Sequence, residues 1–186
     1  DPVAVWVGNQ MTTESTQNGI TINLNGNTCS DGVVTIASGI DISKSSGDFA
    51  KAITVIAEIE DMPTDASDSS RKTIFCCKVA GNDLTLDSVS NGKFMCDWNH
   101  GTHGSSAKST DTIPSGKHIV AFAYDGGNKT GVKAYVDGTQ KVSAGLFTSN
   151  TNIDKFFIGS YKNGMCVTSG MKVSKIAVFS SMLSAA

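Results

Sequence analysis

Apolar and polar residues alternate with a period of two along most of the chain. In Gly19–Asn25 the apolar set is Ile20, Ile22 and Leu24, a half-buried strand that stops at Asn25-Gly26-Asn27. From Ile53 to Glu60, Ile53, Val55, Ala57 and Ile59 point one way, and Thr54, Ile56, Glu58 and Glu60 the other. A shorter apolar strand runs from Lys72 to Val79. Asn82-Asp83 turns the chain into Leu84–Val89, and Asn91-Gly92 turns it into Lys93–Trp98. His118–Tyr124 leads through Asp125-Gly126 into Val132–Val136, which ends at Asp137-Gly138. Val120, Phe122 and Tyr124 share one face of that first strand, and Ile119, Ala121 and Ala123 the other. Both faces are apolar, which predicts a central strand covered on both sides. Phe156–Gly159 and Lys172–Phe179 complete about a dozen strands. Helix is confined to single turns near Asp48–Ala52 and Ser181–Ala185. Asp61–Ser70 and Asn99–Ser115 read as loops, the second long enough to be a candidate for function. Short strands with tight turns and little helix predict two packed antiparallel sheets.

Composition narrows the function. The chain has 186 residues, no internal repeat and no composition break, which predicts one domain over 1–186 with room for a core. Net charge is −2, and the fifteen basic side chains, of which Arg71 is the only arginine, are scattered. That excludes a nucleic-acid backbone as the partner, which needs a concentrated basic face. No apolar run is long enough to span a membrane. Only 17% of residues are charged; Ser, Thr, Asn and Gly fill the gap, as on a β-rich surface. The chain opens on Asp1-Pro2, so it is expected to be a domain excised from a larger protein, or a mature chain after removal of a leader. Five cysteines (Cys29, Cys76, Cys77, Cys96 and Cys166) leave at least one unpaired. Adjacent Cys76 and Cys77 face opposite sides of a strand. Buried free thiols are the first reading, and one disulfide, Cys77 with Cys96, is the alternative.

Three segments resemble the laminin G-like, concanavalin A-like jelly-roll family. Gly116-Lys117-His118-Ile119-Val120-Ala121-Phe122-Ala123-Tyr124-Asp125-Gly126 is similar to its W-H-H-V-A-V-T-Y-D-G strand and turn, with Lys117 in place of the tryptophan. Val132–Gly138 resembles V-K-L-Y-V-D-G. Phe157-Ile158-Gly159 with Gly170–Ser184 resembles the closing strand and its end. Ala4-Val5-Trp6 and Phe49–Val55 fit the opening strands. The resemblance implies an all-β, concanavalin A-like β-sandwich of two antiparallel sheets. The fold hosts lectins, glycosidases, adhesion modules and spacers, so the fold alone does not select among them. Some members bind calcium through acidic residues near the jelly-roll edge. The acidic pair often carried by the closing strand is replaced here by Ser174 and Lys175, so calcium stays open as a cofactor without that pair.

Several groups are candidates for chemistry. Asp97-Trp98-Asn99-His100-Gly101-Thr102-His103 is the densest polar and aromatic cluster. A sugar site needs a flat ring for C–H faces and planar polar groups for hydroxyls, and Trp98, Asn99, His100 and Asp97 supply both. His100 and His103 with Asp97 are alternatively transition-metal ligands, or the segment is a histidine loop beside a buried Trp98. Arg71 is suited to grip a carboxylate, such as that of a sialic or uronic acid; a surface or packing role is the alternative. Glu58 and Glu60 share a face roughly 7 Å apart, wider than the ~5–5.5 Å of a retaining glycosidase pair. Glucanases of the family carry E-x-D-x-E, where this chain has Glu58-Ile59-Glu60-Asp61-Met62. Asp61, Asp65 and Asp68 offer loop oxygens without an EF-hand pattern. Asn128-Lys129-Thr130 is a glycosylation sequon. The expectation is a non-catalytic carbohydrate-binding module of a secreted or surface protein, beside neighbouring domains. It binds a glycan or glycoprotein through Trp98, Asn99, His100, Asp97, His103 and Arg71. The alternatives are a structural or adhesion module, and a glycoside hydrolase using Glu58 and Glu60.

Overall fold

The computed structural model describes residues 1–98, 106–126, 131–144, 152–161 and 164–183; for Trp98 it describes the backbone only. The described residues form two antiparallel sheets and one short 3-10 turn at Gly8–Gln10. The first sheet has the spatial order β14 (Thr139–Ala144), β13 (Gly131–Val136), β12 (Lys117–Asp125), β7 (Ala52–Glu60), β16 (Lys172–Phe179), β5 (Val33–Thr35), β4 (Cys29–Ser30). β1 (Ala4–Val7) also pairs with β16. The second runs β11 (Ala107–Thr112), β10 (Lys93–Trp98), β9 (Asn82–Val89), β8 (Lys72–Val79), β15 (Ile153–Ile158), β6 (Ile40–Lys44), β3 (Ile20–Asn23), β2 (Glu14–Gln17).

The expected sandwich is therefore present. Ile53, Val55, Ala57 and Ile59 on β7 are buried, while Ile56, Glu58 and Glu60 are half-buried on the other face. The core lies between the sheets. Phe122 of the first sheet meets Phe75 and Phe156 of the second at ring-centre distances of 6.2 and 5.5 Å, and Phe75 meets Phe156 at 5.6 Å. These tilted and edge-on contacts are the favoured geometries for aromatic rings. All five cysteines are free thiols, Cys77 and Cys96 among them, so the alternative disulfide is absent. Burial pushes the Cys77 and Cys96 thiols far above their usual range, as expected of packing groups.

Five expectations are corrected. Asn82-Asp83, read as a turn, opens β9 instead, and the chain turns at Ala80-Gly81, both at positive φ. Residues 48–52 and 181–183 form no helical turn; the 3-10 turn at 8–10 lies in a segment with no helical signal, and residues 184–186 lie outside the described residues. The stretch read as a loop to Ser115 contains β11, paired with β10. Its polar sequence, Ala-Lys-Ser-Thr-Asp-Thr, carries no apolar face because it is a mostly exposed edge strand. β12 is central within its sheet but is not covered on both sides throughout. Ile119 is 42% exposed, and only the end from Phe122 to Asp125 is buried on both faces. Accordingly, Phe122→Ala is expected to cost about 3–5 kcal/mol and Ile119→Ala about 0.5 kcal/mol or less, read from urea denaturation.

The start of β12 is fastened to the β13–β14 turn. His118 Nδ1 lies 2.7 Å from Asp137 Oδ2, its Nε2 lies 3.0 Å from the Ser115 carbonyl, and Asp137 Oδ1 accepts from the Ile119 amide at 2.9 Å. The bond to Asp137 raises the His118 pKa from 6.5, and the same bond lowers that of Asp137 from 3.8. The histidine's stabilisation is full below its unfolded pKa and is lost as pH rises through its raised folded value. The aspartate's is full above its unfolded pKa and is lost as pH falls through its depressed folded value. Denaturant midpoints are expected to decline as pH rises from acid-neutral to mildly alkaline, by no more than about 1 kcal/mol because the pair is partly solvated. His118→Gln should flatten that limb.

Candidate functional site

The outer face of the second sheet, turned away from the core, holds the site. Strands β8 to β10 are buried on this face as well as on the inner one. Met95, Asp97, Asp83, Thr85, Asp87, Thr73 and Cys76 are all nearly inaccessible. Polar groups at such positions need partners in place of water. Asp87 obtains them from two threonines: Thr73 Oγ1 donates to Oδ1 at 2.7 Å, and Thr85 Oγ1 to Oδ2 at 2.8 Å. Asp97 obtains its partner from Arg71, whose Nη1 donates to Asp97 Oδ2. The Arg71 Nε also donates to the Asp68 carbonyl at 3.2 Å. The guanidinium is thus held at two atoms and remains 17% exposed, while the Asp97 side chain is fully covered.

Arg71 opens onto a shallow pocket of about 460 Å³, walled by Asp68, Ser69, Ser70 and Cys166. The loop supplying this wall is fastened at several points. Asp68 exchanges bonds with Ser90 at 3.0 and 3.3 Å and pairs with Lys108 at 2.8 Å. Asp65 pairs with Lys72, and Asp61 with Lys172. The lysine bonds hold Asp65 and Asp68 below the usual carboxylate range. The three loop aspartates therefore diverge to three different lysines rather than converging on a cation. Across the pocket, the Cys166 carbonyl accepts from the Thr73 amide at 2.8 Å. Burial, and secondarily the Asp87 carboxylate, raise the Cys166 thiol above its usual range.

The structure brings together two of the six candidate residues, Arg71 and Asp97, which stand 26 residues apart. Trp98 continues β10 beside them; its side chain, with Asn99, His100 and His103, lies outside the described residues. The sequon at 128–130 does also. Asp97, read from the sequence as a hydroxyl-binding group, sits beneath Arg71 and orients it. Asp87, Thr73 and Cys166 were not singled out in the sequence; the one signal for the first two is the polar run on the outward positions of β8 and β9.

Glu58 and Glu60 lie on the first sheet, on the opposite side of the sandwich. Glu58 accepts hydrogen bonds from Ser174 Oγ and Lys175 Nζ and lies 3.4 Å from Lys117 Nζ. The Ser174 bond, then the lysine contacts, hold its carboxyl below the usual carboxylate range. The same contacts direct the hydroxyl of Ser174 and the ammonium of Lys175 at Glu58. An ammonium has no lone pair for a cation, so Lys175 does not reproduce the family's acidic pair. Among the described residues no group of three or more His, Cys, Asp or Glu is placed to hold a metal ion, and no helix is long and apolar enough to cross a membrane.

Residues 30–186 match the family profile of the concanavalin A-like lectin/glucanase superfamily, and the chain belongs to it. No curated protein sequence matches the chain. Among solved structures, the Trypanosoma rangeli sialidase is similar over 99% of this chain, with a TM-score of 0.70 and 13% identity; the chain spans 31% of that enzyme. The Emp46p carbohydrate recognition domain in its metal-free form aligns with 94% of this chain and 92% of its own (TM-score 0.53, 9% identity). A SAP-like pentraxin from Limulus polyphemus aligns with 74% of this chain and 68% of its own (TM-score 0.52, 13% identity). At these identities the likeness is one of fold.

The Arg71–Asp97 pair carries a direct test. Arg71→Met removes the charged partner of a buried carboxylate and should cost about 3–5 kcal/mol, whereas Arg71→Met with Asp97→Leu should recover most of it. Urea denaturation of the two variants measures both.

Proposed function

We propose that the chain is a non-catalytic carbohydrate-binding module that holds a glycan on the outer face of its second sheet, at the pocket of Arg71. The observation that carries this reading is the fixed guanidinium: Asp97 holds it from beneath and Asp68 from the side, and it borders an open, hydroxyl-lined pocket. A planar cation with its geometry set before binding recognises carboxylates and paired hydroxyls at little entropic cost. Serine hydroxyls at Ser69 and Ser70 serve as both donor and acceptor to sugar hydroxyls. β10 leads directly from Asp97 to Trp98, whose ring is the candidate stacking surface, and on to Asn99, His100 and His103. The likeness in fold to a sialidase and to a carbohydrate recognition domain agrees with a saccharide ligand. A module of this kind belongs on a secreted or cell-surface protein, beside other domains.

A glycan array probed with this chain, in calcium and again in chelator, tests the reading. Reproducible hits are expected. Arg71→Lys, which keeps the charge but loses the fork, should weaken them about tenfold or more, as should Trp98→Ala. Glu58→Gln should leave them unchanged. A blank array in both conditions would overturn the proposal in favour of a structural or protein-binding module.

A further inference from the structure

A second pocket, of about 260 Å³, opens on the same outer face, near the far ends of β6 and β15. Its walls are built. Asn25 Nδ2 donates to both the Gly39 carbonyl and Asp41 Oδ1, each at 2.7 Å, and Ser38 Oγ donates to the Asn25 carbonyl at 2.6 Å. The Asn25 backbone takes the left-handed conformation (φ 49°) that seats this amide. Ser160, also on the pocket wall, is 1% exposed, and its Oγ has no hydrogen-bond partner. It sits where a β-carbon on residue 39 would fall, so glycine there makes room for this hydroxyl. A buried hydroxyl without a partner is costly, and a ligand or water that supplies one is favoured.

The strand registers place this pocket relative to Arg71. Asp41 pairs with Phe157, Phe157 with Cys76, Cys76 with Thr85, and Thr85 with Asp97. These five residues form one row across the outer face, with Asp41 at one end and Asp97 at the other. At about 4.8 Å per strand the ends stand roughly 19 Å apart, the length of several linked sugars rather than one. The middle of the row is covered: Phe157 and Cys76 pack beneath Tyr161 and Cys166. Tyr161 and Met165 exchange backbone hydrogen bonds of 2.7 and 3.0 Å, and the Met165 side chain stands 57% exposed. Gly164 walls the second pocket and Cys166 the first, so this segment forms the ridge between them.

We infer that the Asn25–Asp41–Ser160 pocket is a second saccharide subsite. The ligand is then a linear oligosaccharide of several units that crosses the Met165 ridge from Arg71 to Asp41. The inference rests on the function proposed above. Asp41 and the Gly39 carbonyl accept from sugar hydroxyls, Ser160 donates, and Met165 offers an apolar contact to a sugar C–H face between the subsites.

Ladders of gluco-, manno-, galacto-, N-acetylglucosamine and sialic acid oligosaccharides, from the single sugar upward, provide the test by calorimetric titration. Affinity is expected to rise in a step once the oligomer is long enough to reach both pockets. Asp41→Asn with Ser160→Ala should remove that step, a loss of about tenfold for long oligomers and none for short ones. Ser160→Ala deletes an unpartnered hydroxyl, so the fold should be unharmed by it, and amide resonances of Asn25 and Ser160 should shift only with long oligomers. A single sugar that binds as tightly as its longest oligomer would overturn the second subsite while leaving the Arg71 site intact. Failure of every ladder to bind would overturn both.

Discussion

The two sheets meet through Phe75, Phe122 and Phe156, one ring from the first sheet wedged against two from the second. This contact sets the spacing of the sandwich, and the spacing decides which face of each strand is core. Once Phe75 points inward, Cys76 must point outward. Once Leu84 and Leu86 are inside, Asp83, Thr85 and Asp87 line the outer face. A slip of one residue in any of these strands would exchange the two sets and bury carboxylates between the sheets. The placement of the candidate site is thus a consequence of core packing.

The outer face of the second sheet departs from the usual economy of a sandwich, in which one face is packed and the other is wet. Here β8 to β10 are covered on both sides, so their outward polar groups must be satisfied internally. Asp87 accepts from two neutral threonines. Asp97 is satisfied by Arg71, which keeps part of its guanidinium at the surface. That difference singles out the Asp97 end of the face as a place where burial has produced a presented, oriented cation. On the first sheet the charges pair at the surface instead: Glu58 lies among Lys117, Ser174 and Lys175. The carboxyl of Glu58 is held there by surface lysines and a serine.

Alternation marked β3, β7 and β12, because a half-buried strand must repeat every second residue, while an apolar run marked β8 and turn residues delimited β9, β10 and β13. Asn-Gly and Asp-Gly located the turns, because left-handed backbone is least costly there: Asn25, Asn91 and Asp137 all adopt it. β11 was invisible to the same reasoning, since an exposed edge strand needs no apolar face. The loop at Asp61–Ser70 was legible, but its three aspartates gave no hint that each would find a separate lysine.

Sequence by itself determined the fold class and the inward set of each strong strand, for these depend on local periodicity and side-chain type, and it offered Arg71 and Asp97 only as candidates. Only the tertiary structure decided that Arg71 and Asp97 are partners, that Glu58 faces away from them, and that Asp41, Phe157, Cys76, Thr85 and Asp97 form one row. Those facts depend on the order and register of strands far apart in the chain, which are set by how the two sheets close around a common core and not by the pattern of any single segment.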